Sequence, residues 1–438
     1  GDVVIDNVDP IDEVNIYYSA IAISGYSSEG NVDITNHAGA DLLAASLFDD
    51  AIGIYGYAAI GDVSIDNAAE IFAYSVYGLA DGIFASGANV DVTNSGAIDA
   101  YGYSWAAGIE AQSTGVTDVD NSGDIYAVVS DTGTSFGIYA TGADVTVTNT
   151  GDIEAQGYSA TGIEAQSYGD VSVTNDGNII GGSLTSVYDY YSGNTYLYGS
   201  LVGAGINASS NGEGAAVTVT NSGDISSQGY YGATGIGATA GGTNGRVTVV
   251  NTGGVYASQY NKYGYGAYGI VASADGDAAG YNREGPSITV DSAGAASGAV
   301  ALSFAGNTNV SNAGDITVSN DAIAYYGAYG IVSFAANGYA GAGNLGNIDV
   351  TSKYVGVGID VEGMDGASAG NRGDISVDAW RAYGLRVESG LGDVVVENEG
   401  SISATYSGTF FGGTAFGMLG TSEEGNVTLY NRGGDITT

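Results

Sequence analysis

The sequence of 438 residues contains no cysteine, two prolines and a single histidine, His37. Without cysteine, the chain can form neither a disulfide framework nor a thiolate metal site. A catalytic triad or a histidine-ligated metal would have to use His37, which occupies a turn position of the repeat described below. No run approaches the ~18 consecutive apolar residues of a membrane-spanning helix, so we expect no transmembrane segment in this chain.

Positive charge is also scarce. Lys and Arg number 8 against 49 Asp and Glu, which gives a formal net charge of −41, and all eight basic residues lie at or beyond Arg246. Nucleic acids and anionic lipids are bound by basic patches, so the sequence excludes both as partners. A surface of one sign repels copies of itself unless divalent cations bridge it.

Glycine and tyrosine are abundant, with 75 and 34 residues, and the hydrophobic fraction is 44%. That fraction is too high for a disordered acidic tail. The apolar residues are mainly Ala, Val and Ile, which suit a narrow core of β-strands. The chain begins at Gly1 and its last residues fall inside a repeat, so we expect a processed chain or a fragment of a longer protein.

A degenerate repeat runs along the chain, and one copy lies between Asp144 and Gln166. Its template is V-x-V-x-N-x-G-x-I-x-A, a turn, G-I-x-A and a second turn. Three runs alternate with period two, Val145–Asn149, Ile153–Ala155 and Ile163–Ala165, which is typical of strands with one buried face. Gly151 and Gly162 are expected to mark corners.

The repeat predicts an all-β fold, a parallel β-helix or β-solenoid. We expect three short strands per coil of about 27–31 residues and about 14 coils in one continuous solenoid over residues 1–438. The crossover preference favours a right-handed path. Asp291 and Ser352 are interpreted as copies in which the Asn is replaced. The wide spacings from Asn175 to Asn221 and from Asn251 to Asp291 predict loop insertions at about 184–200 and 274–286, either functional or tolerated drift.

The recurring Asn is predicted to form a ladder, because an inward amide at a corner can bond to the Asn of the coils above and below. The predicted ladder residues are Asn36, Asn67, Asn94, Asn121, Asn149, Asn175, Asn221, Asn251, Asn312, Asn371, Asn398 and Asn431.

Aromatic residues recur just before the G-I strand and predict an aromatic strip along one edge. Such a strip can stack on sugar rings or on another subunit, or can simply stabilise neighbouring coils. The predicted strip residues are Tyr103, Trp105, Tyr158, Tyr231, Tyr265, Tyr268, Tyr326, Tyr329 and Tyr383.

Aspartates recur before the first and second strands of the coil. They are either solvated turn residues or, where carboxylates stack, ligands of calcium, the one cofactor that the sequence leaves open. The candidate calcium ligands are Asp124, Asp152, Asp224, Asp275 and Asp277.

The template resembles the β-solenoid passenger repeats of Gram-negative autotransporter adhesins and filamentous-haemagglutinin-like proteins, with matches at Val145–Ala155, Val217–Ser227 and Val247–Ala257. The resemblance implies a secreted or cell-surface location and a stalk or adhesin that is not an enzyme. Its partners would be surface glycans, receptors of a host or a neighbouring cell, or copies of itself. Alternatives are a subunit of an extracellular filament or surface layer that stacks head to tail, and a glycan-cleaving β-helix enzyme.

Overall fold

The computed structural model describes residues 1–130, 132–189, 194–321, 326–407 and 412–438, and it describes side chains outside 184–199. Within these residues the regular elements are β-strands, with no helix and therefore no helix that could cross a membrane. The strands form three parallel sheets, the stacked coils of a β-solenoid of about 14 turns with about 29 residues per turn. The predicted fold is confirmed. Two compact units, unit 1 (Gly1–Ser210) and unit 2 (Asn211–Thr438), are described separately.

Each sheet of unit 1 contains seven strands, each paired in parallel with the equivalent strand of the next coil. The first sheet consists of β1 (Val3–Asn7), β4 (Val32–Asn36), β7 (Val63–Asn67), β10 (Val90–Asn94), β13 (Val116–Asn121), β16 (Asp144–Asn149) and β19 (Val171–Asn175). The second consists of β2 (Ile11–Asn15), β5 (Leu42–Ser46), β8 (Ile71–Ser75), β11 (Ile98–Gly102), β14 (Ile125–Val129), β17 (Ile153–Gln156) and β20 (Ile179–Gly181). The third consists of β3 (Ala20–Ser27), β6 (Ala51–Ala58), β9 (Leu79–Gly87), β12 (Trp105–Ser113), β15 (Thr134–Gly142), β18 (Ser159–Ser167) and β23 (Val202–Ser210).

Unit 2 follows the same arrangement. Its first sheet consists of β24 (Ala216–Asn221), β27 (Arg246–Asn251), β30 (Ala278–Asn282), β33 (Thr308–Asn312), β36 (Tyr339–Asn344), β39 (Gly366–Asn371), β42 (Val394–Asn398) and β45 (Val427–Asn431). The second consists of β25 (Ile225–Gly229), β28 (Val255–Gln259), β31 (Ile288–Ser292), β34 (Ile316–Asn320), β37 (Ile348–Ser352), β40 (Ile375–Ala379), β43 (Ile402–Tyr406) and β46 (Ile436–Thr437). The third consists of β26 (Gly232–Ala240), β29 (Gly266–Ala274), β32 (Ala296–Ser303), β35 (Gly327–Ala335), β38 (Val355–Gly363), β41 (Arg381–Ser389) and β44 (Thr414–Ser422).

The core is made of the inward residues of all three sheets. In β16, Val145 and Val147 are buried while Thr146 faces solvent, as strand alternation requires. Ile153 and Ile163 supply the second and third sheets of the same coil and are also buried. Burying each Val or Ile contributes roughly 1.5–3 kcal/mol, and stacking repeats the gain in every coil.

The predicted loop at 184–200 contains an extra pair of strands. β21 (Leu184–Asp189) and β22 (Asn194–Gly199) pair antiparallel, with Leu184 opposite Gly199. Residues 190–193 of the predicted loop lie outside the described residues.

The predicted loop at 274–286 is wrong where it includes a strand of the first sheet. Ala278–Asn282 form β30, which pairs with β27 and β33. Consequently Asn282, not Asp291, is the Asn of its coil, and Asp291 lies in the second sheet. The template failed here because A-A-G-Y-N has no Val or Ile, although Ala and Gly fit the same inward positions.

A second strand of small residues explains the other misassigned copy. Asn344 ends β36, and Ser352 ends β37 in the second sheet. Gly162 is likewise misplaced by the sequence, since it lies inside β18 rather than at a corner.

The recurring Asn side chains are hydrogen bonded from coil to coil. Asn149, fully buried, donates from Nδ2 to Oδ1 of Asn175 (2.7 Å) and to the carbonyl oxygen of Gly151 (2.7 Å), and it accepts from Nδ2 of Asn121 (2.7 Å). The residues joined in this way in unit 1 are Asn7, Asn36, Asn67, Asn94, Asn121, Asn149 and Asn175. Those joined in unit 2 are Asn221, Asn251, Asn282, Asn312, Asn344, Asn371, Asn398 and Asn431.

Candidate functional surface

The aromatic residues predicted as one strip occupy two different positions of the coil. Tyr103, Tyr158, Tyr231, Tyr265 and Tyr326 lie at the corner just before the third-sheet strand, and each is at least 36% exposed. The other predicted members lie in the third-sheet strands themselves and are half-buried: Trp105, Tyr268, Tyr329 and Tyr383. Of these nine predicted residues, the five at the corners have the more exposed rings.

Pairing between third-sheet strands skips one residue, which is a glycine in every strand except β3, where it is Ala22. In β15 the pairing with β18 skips Gly137, so Phe136 and Tyr139 both lie on the outer face with ring centroids 5.0 Å apart. Trp105 packs against the same pair, with its ring centroid 5.0 Å from that of Phe136.

Unit 1 carries a corner stack that the sequence did not single out. The Tyr17 and Phe48 ring centroids are 6.0 Å apart, and those of Phe48 and Tyr77 are 5.6 Å apart, with interplanar angles of 16° and 8°. These residues are 73%, 55% and 57% exposed, respectively. We call Tyr17, Phe48 and Tyr77 the aromatic ladder of unit 1. The G-I dipeptide is absent only from the coil of Tyr17; Gly53–Ile54 follows Phe48 and Gly82–Ile83 follows Tyr77, so the template fits those two coils.

Two further aromatic stacks lie on sheet faces of unit 1. On the second sheet, Tyr101 contacts Phe72 and Tyr126, each with 5.5 Å between centroids. On the third sheet, Tyr55 stacks on Phe84 at 5.1 Å. Burial raises the pKa of the Tyr55 phenol, with Tyr57 and Tyr26 adding to the shift. Tyrosine is therefore concentrated on the outer surface of unit 1 as stacked groups.

Cations lie over aromatic rings in unit 2. The guanidinium of Arg381 is 4.8 Å from the centroid of Trp380, which stacks on Tyr354 at the corner before the third sheet. Arg386 lies 5.7 Å from the Tyr383 ring, and Lys262 lies 5.0 Å from the Tyr263 ring. Arg432 makes the same contact with Tyr430 at 5.1 Å.

Arg386 also forms the best-buried ion pair among the described residues. Its Nε donates to Oδ1 of Asp360 at 2.7 Å, and its Nη2 donates to Oδ2. These hydrogen bonds raise the pKa of Arg386. Nearby, a cleft of about 410 Å³ is lined by apolar Phe334 and Met364 and by acidic Glu362 and Glu388.

Three carboxylates of unit 1 are buried, which the repeat pattern did not predict. Asp81 is 3% exposed and accepts a hydrogen bond from Trp105 Nε1 at 3.1 Å; Glu110, 8% exposed, lies beside it and accepts from Gln112 Nε2. Burial raises the pKa of Asp81 well above its usual range, and the Glu110 charge adds to the shift. Burial also raises the pKa of Glu110. Glu164, 6% exposed, is held by Nδ2 of Asn207 at 2.9 Å.

The candidate calcium ligands each accept a backbone hydrogen bond from a neighbouring coil. Oδ1 of Asp124 accepts from the Asp152 amide (3.0 Å), and Oδ1 of Asp152 accepts from the Asn178 amide (2.9 Å). The remaining candidates make equivalent contacts: Asp224 with Gly254, Asp275 with Asn244, and Asp277 with Asn307. Among the described residues no group of three or more His, Cys, Asp or Glu could hold a metal ion.

No family model matches the chain, and no curated protein and no solved structure matches it.

Proposed function

We propose that this protein is an extracellular or cell-surface β-solenoid that serves as a stalk or adhesin, as its resemblance to autotransporter passenger repeats implies. The observation that carries the proposal is the outward display of stacked aromatic rings on coils that are hydrogen bonded to their neighbours. Aromatic groups on a rigid repeat are suited to contact with sugar rings, with a receptor or with another copy.

The acidic charge supports a surface role for these rings. The net charge of −41 opposes non-specific collapse of the exposed apolar groups onto one another between molecules. Contact with a partner then requires complementary groups on that partner, which is consistent with selective adhesion to particular glycans or receptors.

The buried carboxylates Asp81 and Glu110 are unsuited to glycan cleavage. A glycosidase uses two carboxyl groups that flank a bound sugar. Asp81 and Glu110 are 3% and 8% exposed and lie beside the Trp105 indole, so neither is placed to meet a substrate.

Antibody labelling of intact source cells tests the location, with brief protease treatment of the intact cells as the control. We expect labelling without permeabilisation and its loss after protease. Beads coated with the full chain should adhere to cells or to a glycan array more than beads coated with an acidic globular protein. Labelling only after permeabilisation would contradict the proposal, and long uniform fibres in negative-stain electron microscopy would favour the filament subunit instead.

A further inference from the structure

The corner before the third sheet binds cations in unit 2 but has none available in unit 1. Four of the chain's eight Lys and Arg residues lie within 6 Å of an aromatic ring centroid: Lys262, Arg381, Arg386 and Arg432. At this corner, Arg381 lies over the stacked pair Tyr354 and Trp380. Residues 1–245 contain no Lys or Arg, so this part of the chain cannot supply such a cation.

Unit 1 nevertheless presents a longer stack at the equivalent corner. The rings of Tyr17, Phe48 and Tyr77 follow one another over three coils and are all more than half exposed. Asp49 and Asp50 follow Phe48 directly in the chain, so their carboxylates add negative charge to this corner.

The charge of unit 1 is complementary to a cationic partner. Of the 49 acidic residues, 28 lie in residues 1–210, with no Lys or Arg to offset them. Attraction of a basic segment to this surface would raise its local concentration, and the rings would then select groups that stack. A planar guanidinium stacks on an aromatic ring better than the ammonium of lysine does.

We propose that the aromatic ladder of unit 1 binds an arginine-bearing segment of a partner protein, with guanidinium groups stacked on Tyr17, Phe48 and Tyr77. The equivalent corner in unit 2 supports this proposal, because there Arg381 of the chain itself lies over an aromatic ring. The inference rests on the proposed function in one respect, since it treats the exposed rings as the contact surface. It identifies the chemistry of the partner that this surface takes.

The test is fluorescence anisotropy of two labelled peptides of equal length, one alternating Arg and Gly and one alternating Lys and Gly, titrated with the full chain. We expect the Arg peptide to bind more tightly than the Lys peptide. The triple variant Y17L/F48L/Y77L keeps apolar bulk but loses the rings, and it should weaken Arg-peptide binding roughly tenfold. The control Y168L/Y260L/F304L removes three rings that are also more than half exposed and should leave binding unchanged.

Circular dichroism and melting of both variants check that each remains folded. If the triple variant of the aromatic ladder unfolds, the single variant F48L replaces it. We then expect a smaller but measurable loss of affinity for the Arg peptide. Equal binding of the two peptides with no effect of the ladder variant would show attraction by charge alone and overturn the proposal.

Two further results would show that the aromatic ladder of unit 1 binds a different partner. Loss of neutral-oligosaccharide binding in the ladder variant, with the Arg peptide unaffected, would identify a glycan. Self-association of the wild type that the variant abolishes in sedimentation would identify a second copy. Failure of the cell-surface labelling would leave the peptide result intact, so the two proposals can fail separately.

Discussion

At the residue scale, each recurring Asn depends on the Asn side chains of the coils above and below it. Its amide uses both donors and its oxygen within a corner that excludes water. Asp and Leu have similar sizes, but neither can make these three hydrogen bonds. A carboxylate cannot donate a hydrogen bond, and an alkyl group can neither donate nor accept one.

Replacing Asn149 by Ala should therefore destabilise unit 1. The change removes the hydrogen bonds that Asn149 makes with Gly151 O, Asn175 Oδ1 and one Asn121 proton, and we expect a loss of about 3 kcal/mol in the free energy of unfolding. Urea unfolding followed by tryptophan fluorescence measures the effect, with W380F in all proteins compared so that Trp105 alone reports. The control is T146A, an exposed position of the same strand, where the change should be under about 0.5 kcal/mol. Equal midpoints for the two variants would contradict the account.

Buried carboxylates make the stability of unit 1 depend on pH. The pKa of Asp81 is raised by burial and by the neighbouring Glu110, with Asp50 contributing and the Trp105 hydrogen bond opposing. The folded protein therefore holds its proton to higher pH than the unfolded chain does. The contribution of Asp81 to stability is greatest in acid and falls as pH rises from the ordinary Asp value of 3.8 through the raised pKa.

The variant D81N should melt at a higher temperature than the wild type at pH 7, and its midpoint should vary less between pH 4 and 8. The amide keeps an acceptor for the Trp105 indole and can donate to Glu110, but it has no charge to bury. Melting curves of both proteins between pH 4 and 8 measure the midpoint and its dependence on pH. The variant D33N, at an exposed first-sheet position, should keep the wild-type slope. A D81N midpoint at or below the wild-type value at pH 7 would refute the explanation.

At the scale of the element, the third-sheet strand is shaped by a glycine that faces inward. A Cβ at Gly162 would lie 2.1 Å from Ile179 Cγ2 and 2.7 Å from the Gly205 carbonyl oxygen. The glycine is needed for this close approach, since its φ is not in the left-handed region. Template matching finds the glycine, but only the structure shows that it brings the second and third sheets together.

Two glycine substitutions should act in opposite directions. G162A should destabilise by about 2 kcal/mol through overpacking. G280A should stabilise by about 1 kcal/mol, because Gly280 occupies an inward strand position between Val249 and Val310 and a Cβ there meets nothing within 4 Å. Thermal melting of both variants and the wild type measures these changes in stability. A destabilising G280A, or a neutral G162A, would show that the packing differs.

At the scale of the whole molecule, like charges repeat at the spacing of the coils. Asp91 and Asp118 are direct neighbours in adjacent strands of the first sheet, and burial together with Asp120 and Asp91 raises the pKa of Asp118. Such repulsion is screened by salt, since the Debye length falls from about 10 Å at 0.1 M to about 3 Å at 1 M.

Raising NaCl from 0.02 M to about 0.5 M should therefore raise the melting midpoint. Adding EDTA at constant ionic strength should not change the midpoint, because carboxylates such as those of Asp124 and Asp152 already accept hydrogen bonds from backbone amides and no group of three His, Cys, Asp or Glu among the described residues could hold a metal ion. Calorimetry in the matched buffers measures both effects. A fall in the midpoint with EDTA, restored by calcium, would contradict this expectation and establish a calcium site.

The sequence by itself determined the period, the three strands of each coil and the positions of most ladder Asn residues. It could do so because in a stacked repeat the same side chain recurs at the same place, as Asn149 does with Asn121 and Asn175. Only the tertiary structure decided that Ala278–Asn282 is a strand, that Asp81 is buried and that Tyr17, Phe48 and Tyr77 form one stack. Those properties depend on which side chains lie one coil away, and local pattern does not specify them.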